Sequence, residues 1–140
     1  MHEVYLSLGT NLGNRRRNLH NAIRLLEKNV GSVVLRSSFV ETEPWGFASS
    51  HRFLNAAVKV VTELSPHELL SATQQIERAM GRTQKSVDGR YHDRIIDIDI
   101  LYYDDITIAD PDLVIPHPLI GERDFVKIPL AEIRDPQSHR

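Results

Sequence analysis

Residues 95–103 read Ile95-Ile96-Asp97-Ile98-Asp99-Ile100-Leu101-Tyr102-Tyr103. A run this rich in isoleucine and aromatic residues, without glycine or proline, reads as a β-strand. Strand side chains alternate between faces. Ile96, Ile98 and Ile100 therefore point one way, into a core that helices must cover. Asp97 and Asp99 share the other face with Ile95 and Leu101. Two residues on one face, two apart, stand roughly 6.6–6.8 Å apart along the strand.

The segments upstream supply what such a strand needs. Ser65-Pro66-His67-Glu68 is a helix start, with Ser65 and Glu68 forming a capping box and Pro66 in the first turn. Leu69, Leu70, Thr73, Ile76 and Met80 recur at helical spacing, and Gly81 stops the helix. Phe53 to Glu63 has strand character, preceded by a loop at Glu43–Arg52 that contains Pro44 and Gly46. Val33 to Thr42 is β-rich, broken at Arg36 to Ser38. Leu19, Ala22, Ile23, Leu26 and Val30 mark an earlier helix ending at Gly31. Val4, Leu6 and Leu8 open the chain as a strand. The order is β-α-β-β-α-β, an α+β fold of the ferredoxin-like kind: an antiparallel sheet with two helices on one face and the other face left for ligands. The prolines at 111, 116, 118, 129 and 136 predict a largely irregular C-terminal segment, with one short helical turn near Ile120–Phe125.

The 140 residues carry 17 Lys plus Arg against 19 Asp plus Glu, for a formal charge of −2, and 41% are apolar. These proportions suit one globular domain spanning 1–140. No apolar run nears the roughly 20 residues of a membrane span, and no signal-peptide pattern opens the chain. The chain has no cysteine, which excludes disulfides, thiol catalysis and iron–sulfur clusters. Near-neutral charge argues against bulk binding of nucleic acid. These features suit a cytoplasmic protein, and nothing in them suggests an oligomer, so a monomer is expected.

Three groups of residues carry chemistry. Asp97 and Asp99 are either ordinary acids on a solvated strand or hard-oxygen ligands for Mg²⁺, a metal that favours a few carboxylates plus substrate phosphates. Their apolar neighbours Ile95 and Leu101 favour the cation, because two carboxylates in such a setting repel. Arg82, Lys85, Arg90 and Arg94 line the loop that enters this strand, and arginine forks match phosphate oxygens. His117, between Pro116 and Pro118, is either a fixed phosphate partner or part of a surface turn. Thr42, Trp45, Phe53, Asn55 and Phe125 combine rings with an amide. They can sandwich a flat heterocycle, although Phe53 and Phe125 also suit a core. The turn Gly9-Thr10-Asn11-Leu12-Gly13-Asn14 fits neither dinucleotide nor P-loop patterns and reads as a tight strand-to-helix turn.

Taken together, Phe53-Leu54-Asn55-Ala56-Ala57-Val58, Ile76-Glu77 with Gly81-Arg82, and Arg94 through Leu101 resemble one family. It is the 6-hydroxymethyl-7,8-dihydropterin pyrophosphokinase family of folate biosynthesis. The likeness runs from the early Ser7-Leu8-Gly9 to the late Val114-Ile115-Pro116-His117-Pro118. It implies that ATP gives its terminal pyrophosphoryl group to the pterin hydroxymethyl oxygen and that AMP leaves. It implies two Mg²⁺ ions on Asp97 and Asp99, with Arg82, Arg94, Asp97 and Asp99 as catalytic residues. It implies pterin contacts from Thr42, Trp45, Phe53, Asn55, Asp97 and Phe125. ATP contacts fall on Glu77, Arg82, Arg94, Ile100, His117 and Arg123. The two loops, Glu43–Arg52 and Arg82–Asp93, read as lids. A nucleic-acid module on the same scaffold would need exposed aromatic ribonucleoprotein motifs, which are absent. A nucleotidyl transferase would also want paired carboxylates but would release pyrophosphate.

Overall fold

The computed structural model describes residues 1–42, 52–81, 95–118 and 120–134. The expectations for Trp45, Arg82, Lys85, Arg90 and Arg94, and for nearly all of both lids, lie outside these residues. The described elements are β1 (His2–Thr10), α1 (Arg15–Asn29), β2 (Gly31–Arg36), β3 (Val40–Thr42), β4 (Phe53–Thr62), α2 (Pro66–Ala79), β5 (Asp97–Tyr103), β6 (Ile108–Asp110), β7 (Leu113–Ile115) and α3 (Asp124–Arg134). A 3₁₀ turn at Ile120–Glu122 precedes α3.

The main sheet has the order β2-β4-β1-β5, with β3 pairing beside β2 along the same edge of β4. All these pairings are antiparallel. Taking β2 and β3 as one interrupted strand, this is the expected β-α-β-β-α-β arrangement. The break falls where polar residues stood in sequence. Ser37 keeps the line attached there: its N–H donates to Ala57 O and its Oγ accepts from Ala57 N, both at 2.9 Å. The helices start as their caps dictate. Asn14 Oδ1 accepts from Arg17 N at 3.1 Å, and Ser65 and Glu68 exchange the two bonds of a capping box.

The two faces of the sheet bury different things. Val4, Leu6, Leu8, Val58, Val60, Ile96, Ile98 and Ile100 pack under Leu19, Ile23 and Leu26 of α1 and Leu69 and Ile76 of α2. The other face carries Ala57 and Leu101, packed against Val126, Leu130 and Ile133. A bulge in β5 marks the division. Leu6 pairs with Ile100 and Tyr5 with Tyr102, so Leu101 is the extra residue. Past it the pleat reverses: Tyr102 packs with the second cluster and Tyr103 with the first.

The C-terminal segment corrects the sequence reading. It is not irregular: it forms the β6–β7 hairpin and the 11-residue helix α3. Proline count was a poor guide because Pro129 sits inside α3. A proline in a helix interior loses one hydrogen bond and costs about 3 kcal/mol. Val126, Leu130 and Ile133 form an i, i+4, i+7 stripe whose burial outweighs that cost. The second sheet face is therefore half covered by α3 rather than wholly open. Two hydrogen bonds fix the helix laterally, Ser38 N to Glu132 Oε1 at 2.9 Å and Ser38 Oγ to Glu132 Oε2 at 2.7 Å. Leu130→Ala is expected to cost about 2–5 kcal/mol, the usual penalty for emptying a core leucine site. Urea unfolding checks this, and a loss below 1 kcal/mol would mean that α3 does not seal the second core.

Candidate active site

On the face not covered by α1 and α2, β1 contributes Tyr5, Ser7 and Gly9, which shrink along the strand. The register sets Gly9 between Asn55 of β4 and Asp97 of β5, and Ser7 between Ala57 and Asp99. Phe125, at the start of α3, closes this end of the face. Ser7, Gly9, Phe53, Asn55, Asp97, Asp99 and Phe125 line one pocket. The flat floor at Gly9 is what leaves room. Gly9 does not adopt a positive φ, so its value is space rather than backbone freedom. A Cβ there would stand 3.1 Å from Asn55 Oδ1 and 3.5 Å from Phe53 Cδ1.

Asn55 is fully buried. Its Nδ2 donates to Thr42 Oγ1 at 2.8 Å and to Val40 O at 3.2 Å. A carbonyl only accepts, so the amide nitrogen must face Val40. Oδ1 is thereby turned to the pocket, and it has no hydrogen-bond partner among the described residues. Thr42 thus orients the amide. A buried acceptor of this kind is costly to leave unmatched, and a ring N–H or exocyclic amine is its natural complement.

Asp97 and Asp99 project from β5 into the same pocket. Two carboxylates beside an apolar wall form a hard-oxygen donor set that suits Mg²⁺, which completes its shell with water and phosphate oxygens. Ile100 is 5% exposed, with its side chain in the helix-covered core, so only its backbone can meet a ligand. Glu77 is 6% exposed, and its Oε2 accepts from Ile98 N at 2.8 Å. The backbone N–H of His117 donates to Leu101 O at 3.1 Å, anchoring the loop after β7 to β5. Burial pushes the His117 imidazole below its ordinary value, while the charge of Asp97 pulls the other way. Arg123 is 4% exposed and its guanidinium lies 5.5 Å from the Phe125 ring. Burial lowers its pKa, yet an arginine stays charged at neutral pH.

The structure therefore brings Phe53, Asn55, Asp97, Asp99 and Phe125 together, with Thr42 behind Asn55. Ser7 and Gly9 were missed as site residues. The signal was present in the alternation of β1, where the face opposite Val4, Leu6 and Leu8 falls to serine and then glycine. Reading Gly9 only as a turn hid it. A separate surface group, His67, Asp110 and Asp112, has ligand atoms within 4.8 Å of one another. It clasps the start of α2 to the β6–β7 hairpin, with His67 Nε2 3.1 Å from Asp110 Oδ2.

Fold and site define a ferredoxin-like α+β domain with a pocket lined by two phenylalanines, a buried amide and a carboxylate pair. Comparison with known proteins gives the class a family. Residues 5–135 match the profile described as 7,8-dihydro-6-hydroxymethylpterin-pyrophosphokinase. A Porphyromonas gingivalis protein named 2-amino-4-hydroxy-6-hydroxymethyldihydropteridine pyrophosphokinase is 52% identical over 131 residues, 93% of this chain and 89% of that one. A mitochondrial folate synthesis bifunctional protein of Arabidopsis thaliana is 46% identical over 94% of this chain, which spans 23% of its length. Among solved structures, a Plasmodium falciparum HPPK-DHPS chain superposes with a TM-score of 0.78 at 20% identity, which shows the fold. This chain spans 41% of that one. The chain belongs to the 7,8-dihydro-6-hydroxymethylpterin-pyrophosphokinase family, the pyrophosphokinases of folate synthesis.

Two outcomes are expected. Gly9→Ala should raise the KM for the pterin at least about tenfold, because Asn55 cannot swing aside without losing Thr42 and Val40. AMP affinity, read by calorimetry, should change less than about twofold. The second concerns acid. His117 is favoured neutral in the fold, so below about 6.5 the unfolded chain takes up the proton first and stability falls. His117→Gln should flatten that loss between about pH 7 and 5 in denaturant titrations. An unchanged slope would remove the assignment.

Proposed function

We propose that this chain transfers the pyrophosphoryl group of ATP to the hydroxymethyl oxygen of 6-hydroxymethyl-7,8-dihydropterin, releasing AMP, with two Mg²⁺ ions held by Asp97 and Asp99. One observation carries the reading: Phe53, Phe125, the Asn55 Oδ1 acceptor that has no partner among the described residues, and two carboxylates line one pocket. The rings suit a flat bicyclic heterocycle, and Oδ1 of Asn55 accepts one of its edge N–H groups. Thr42 fixes which amide atom the ring meets. Gly9 lets the ring lie close to β1.

In the reaction, that oxygen bonds to the β-phosphorus of ATP, the bond from this phosphorus to the oxygen retained by AMP breaks, and the hydroxyl proton leaves. Such transfer rests on in-line placement and charge neutralisation more than on a strong base. Bound Mg²⁺ would neutralise phosphate charge and steady the attacking and leaving oxygens. Arg123 and His117 supply positive and hydrogen-bonding groups on the nucleotide side, and the family resemblance adds Arg82, Arg94 and Trp45. We assign residues 1–140 to a single domain acting as a monomer in the cytoplasm. No helix among the described residues is long and apolar enough to cross a membrane.

The test is nucleotide product analysis. AMP should form only when ATP, the pterin and Mg²⁺ are all present; release of pyrophosphate instead would favour a nucleotidyl transferase. Asp97→Ala should lower turnover at least about a thousandfold while shifting the urea midpoint little, since Asp97 is only half-buried. Retained turnover would remove the metal assignment.

A further inference from the structure

We infer that Glu77 is a positioning residue that holds the metal-binding strand in place, and not a ligand of the nucleotide. Among the described residues, β5 lies at the edge of the main sheet, where its one ladder is with β1. Asp97 and Asp99 pair with Gly9 and Ser7, and Ile98 stands between them opposite Leu8. The Ile98 N–H is given to Glu77 Oε2 at 2.8 Å, so it points away from β1 and toward α2. Glu77 stands on the buried face of α2 with Leu69, Thr73 and Ile76. A carboxylate on an apolar helix face is expensive unless hydrogen bonds answer it, and a bare N–H on an edge strand is a liability of its own. Each group solves the other's problem.

The consequence falls on the aspartates. Their Cα–Cβ bonds leave the backbone on either side of the Ile98 peptide, on the face opposite its buried side chain. A tilt of that peptide changes the separation and aim of both carboxylates at once. Glu77 is thus an outer-shell support for the pair, and such supports are worth about 10–100-fold in metal affinity. Its Oε2 is already engaged by the Ile98 amide. The inference rests on Asp97 and Asp99 being the Mg²⁺ ligands.

The test uses the full chain with Glu77→Gln, Glu77→Asp and Glu77→Ala. Gln keeps a carbonyl acceptor for Ile98 and loses the charge; Asp keeps the charge and cannot reach. Three quantities are read: Mn²⁺ affinity by calorimetry in the presence of a non-hydrolysable ATP analogue, AMP affinity without metal, and hydrogen exchange of the Ile98 amide. Glu77→Ala and Glu77→Asp should weaken Mn²⁺ at least about tenfold and speed Ile98 exchange, with AMP affinity within about twofold. Glu77→Gln should stay within about threefold of the parent in all three. Should Glu77→Ala not fold, the contrast between Gln and Asp decides. Unchanged Mn²⁺ affinity in Glu77→Asp, or a loss of AMP affinity in Glu77→Gln, would overturn the inference. Absence of Mn²⁺ binding by the parent chain would sink the metal reading and this inference with it. Absence of AMP production with Mn²⁺ binding intact would count against the reaction alone.

Discussion

The pairing of β1 with both β4 and β5 is the constraint from which the site follows. Because β1 lies between them, one register sets Asn55, Gly9 and Asp97 in a row across three strands. A slip of one residue would send Asn55 and both aspartates into the core and bring leucines and isoleucines out. Burial of Leu6, Leu8, Val58 and Ile98 beneath α1 and α2 forbids that slip. The apolar face of the sheet thus fixes the polar one.

The polar face is itself divided. Tyr5, Tyr102 and Leu101 at one end are covered by α3, and Arg134 lies 3.8 Å over the Tyr102 ring. The other end, where β1 has dwindled to Ser7 and Gly9, is left as the pocket. The bulge at Leu101 marks the change between them. Before it β5 alternates carboxylates with core isoleucines; at it two successive residues, Leu101 and Tyr102, serve α3. Phe125 belongs to both halves, packing against the second core while forming a pocket wall.

The legible parts were those governed by short-range periodicity. The alternation of Ile96, Ile98 and Ile100 against Asp97 and Asp99 gave the correct faces, and the Ser65–Glu68 capping box placed α2 within a residue. α3 was hidden because its stripe of Val126, Leu130 and Ile133 has meaning only against Ala57 and Leu101, which are far away in sequence. Gly9 was misread for a related reason. A glycine near a turn has an obvious local explanation, and its nearness to Asn55 is visible only once β1 and β4 are paired. The orientation of Asn55 likewise depends on Val40 and Thr42, which reach it across a strand pairing.

The site also divides by rigidity. Asn55 and Gly9 sit on the two central strands, bonded on both sides, where backbone shifts would disturb two ladders. Among the described residues, the aspartates sit on the edge strand, which has a ladder with β1 on one side only. A ring slot tolerates little error, since a heterocycle and an amide must meet at hydrogen-bond distance. A pair of carboxylates serving a hydrated cation and a flexible polyphosphate tolerates more, yet not free motion. Helix α2 supplies the missing restraint through the one carboxylate on its buried face. The hydrogen bond from the Ile98 N–H to Glu77 does there what a further strand would have done.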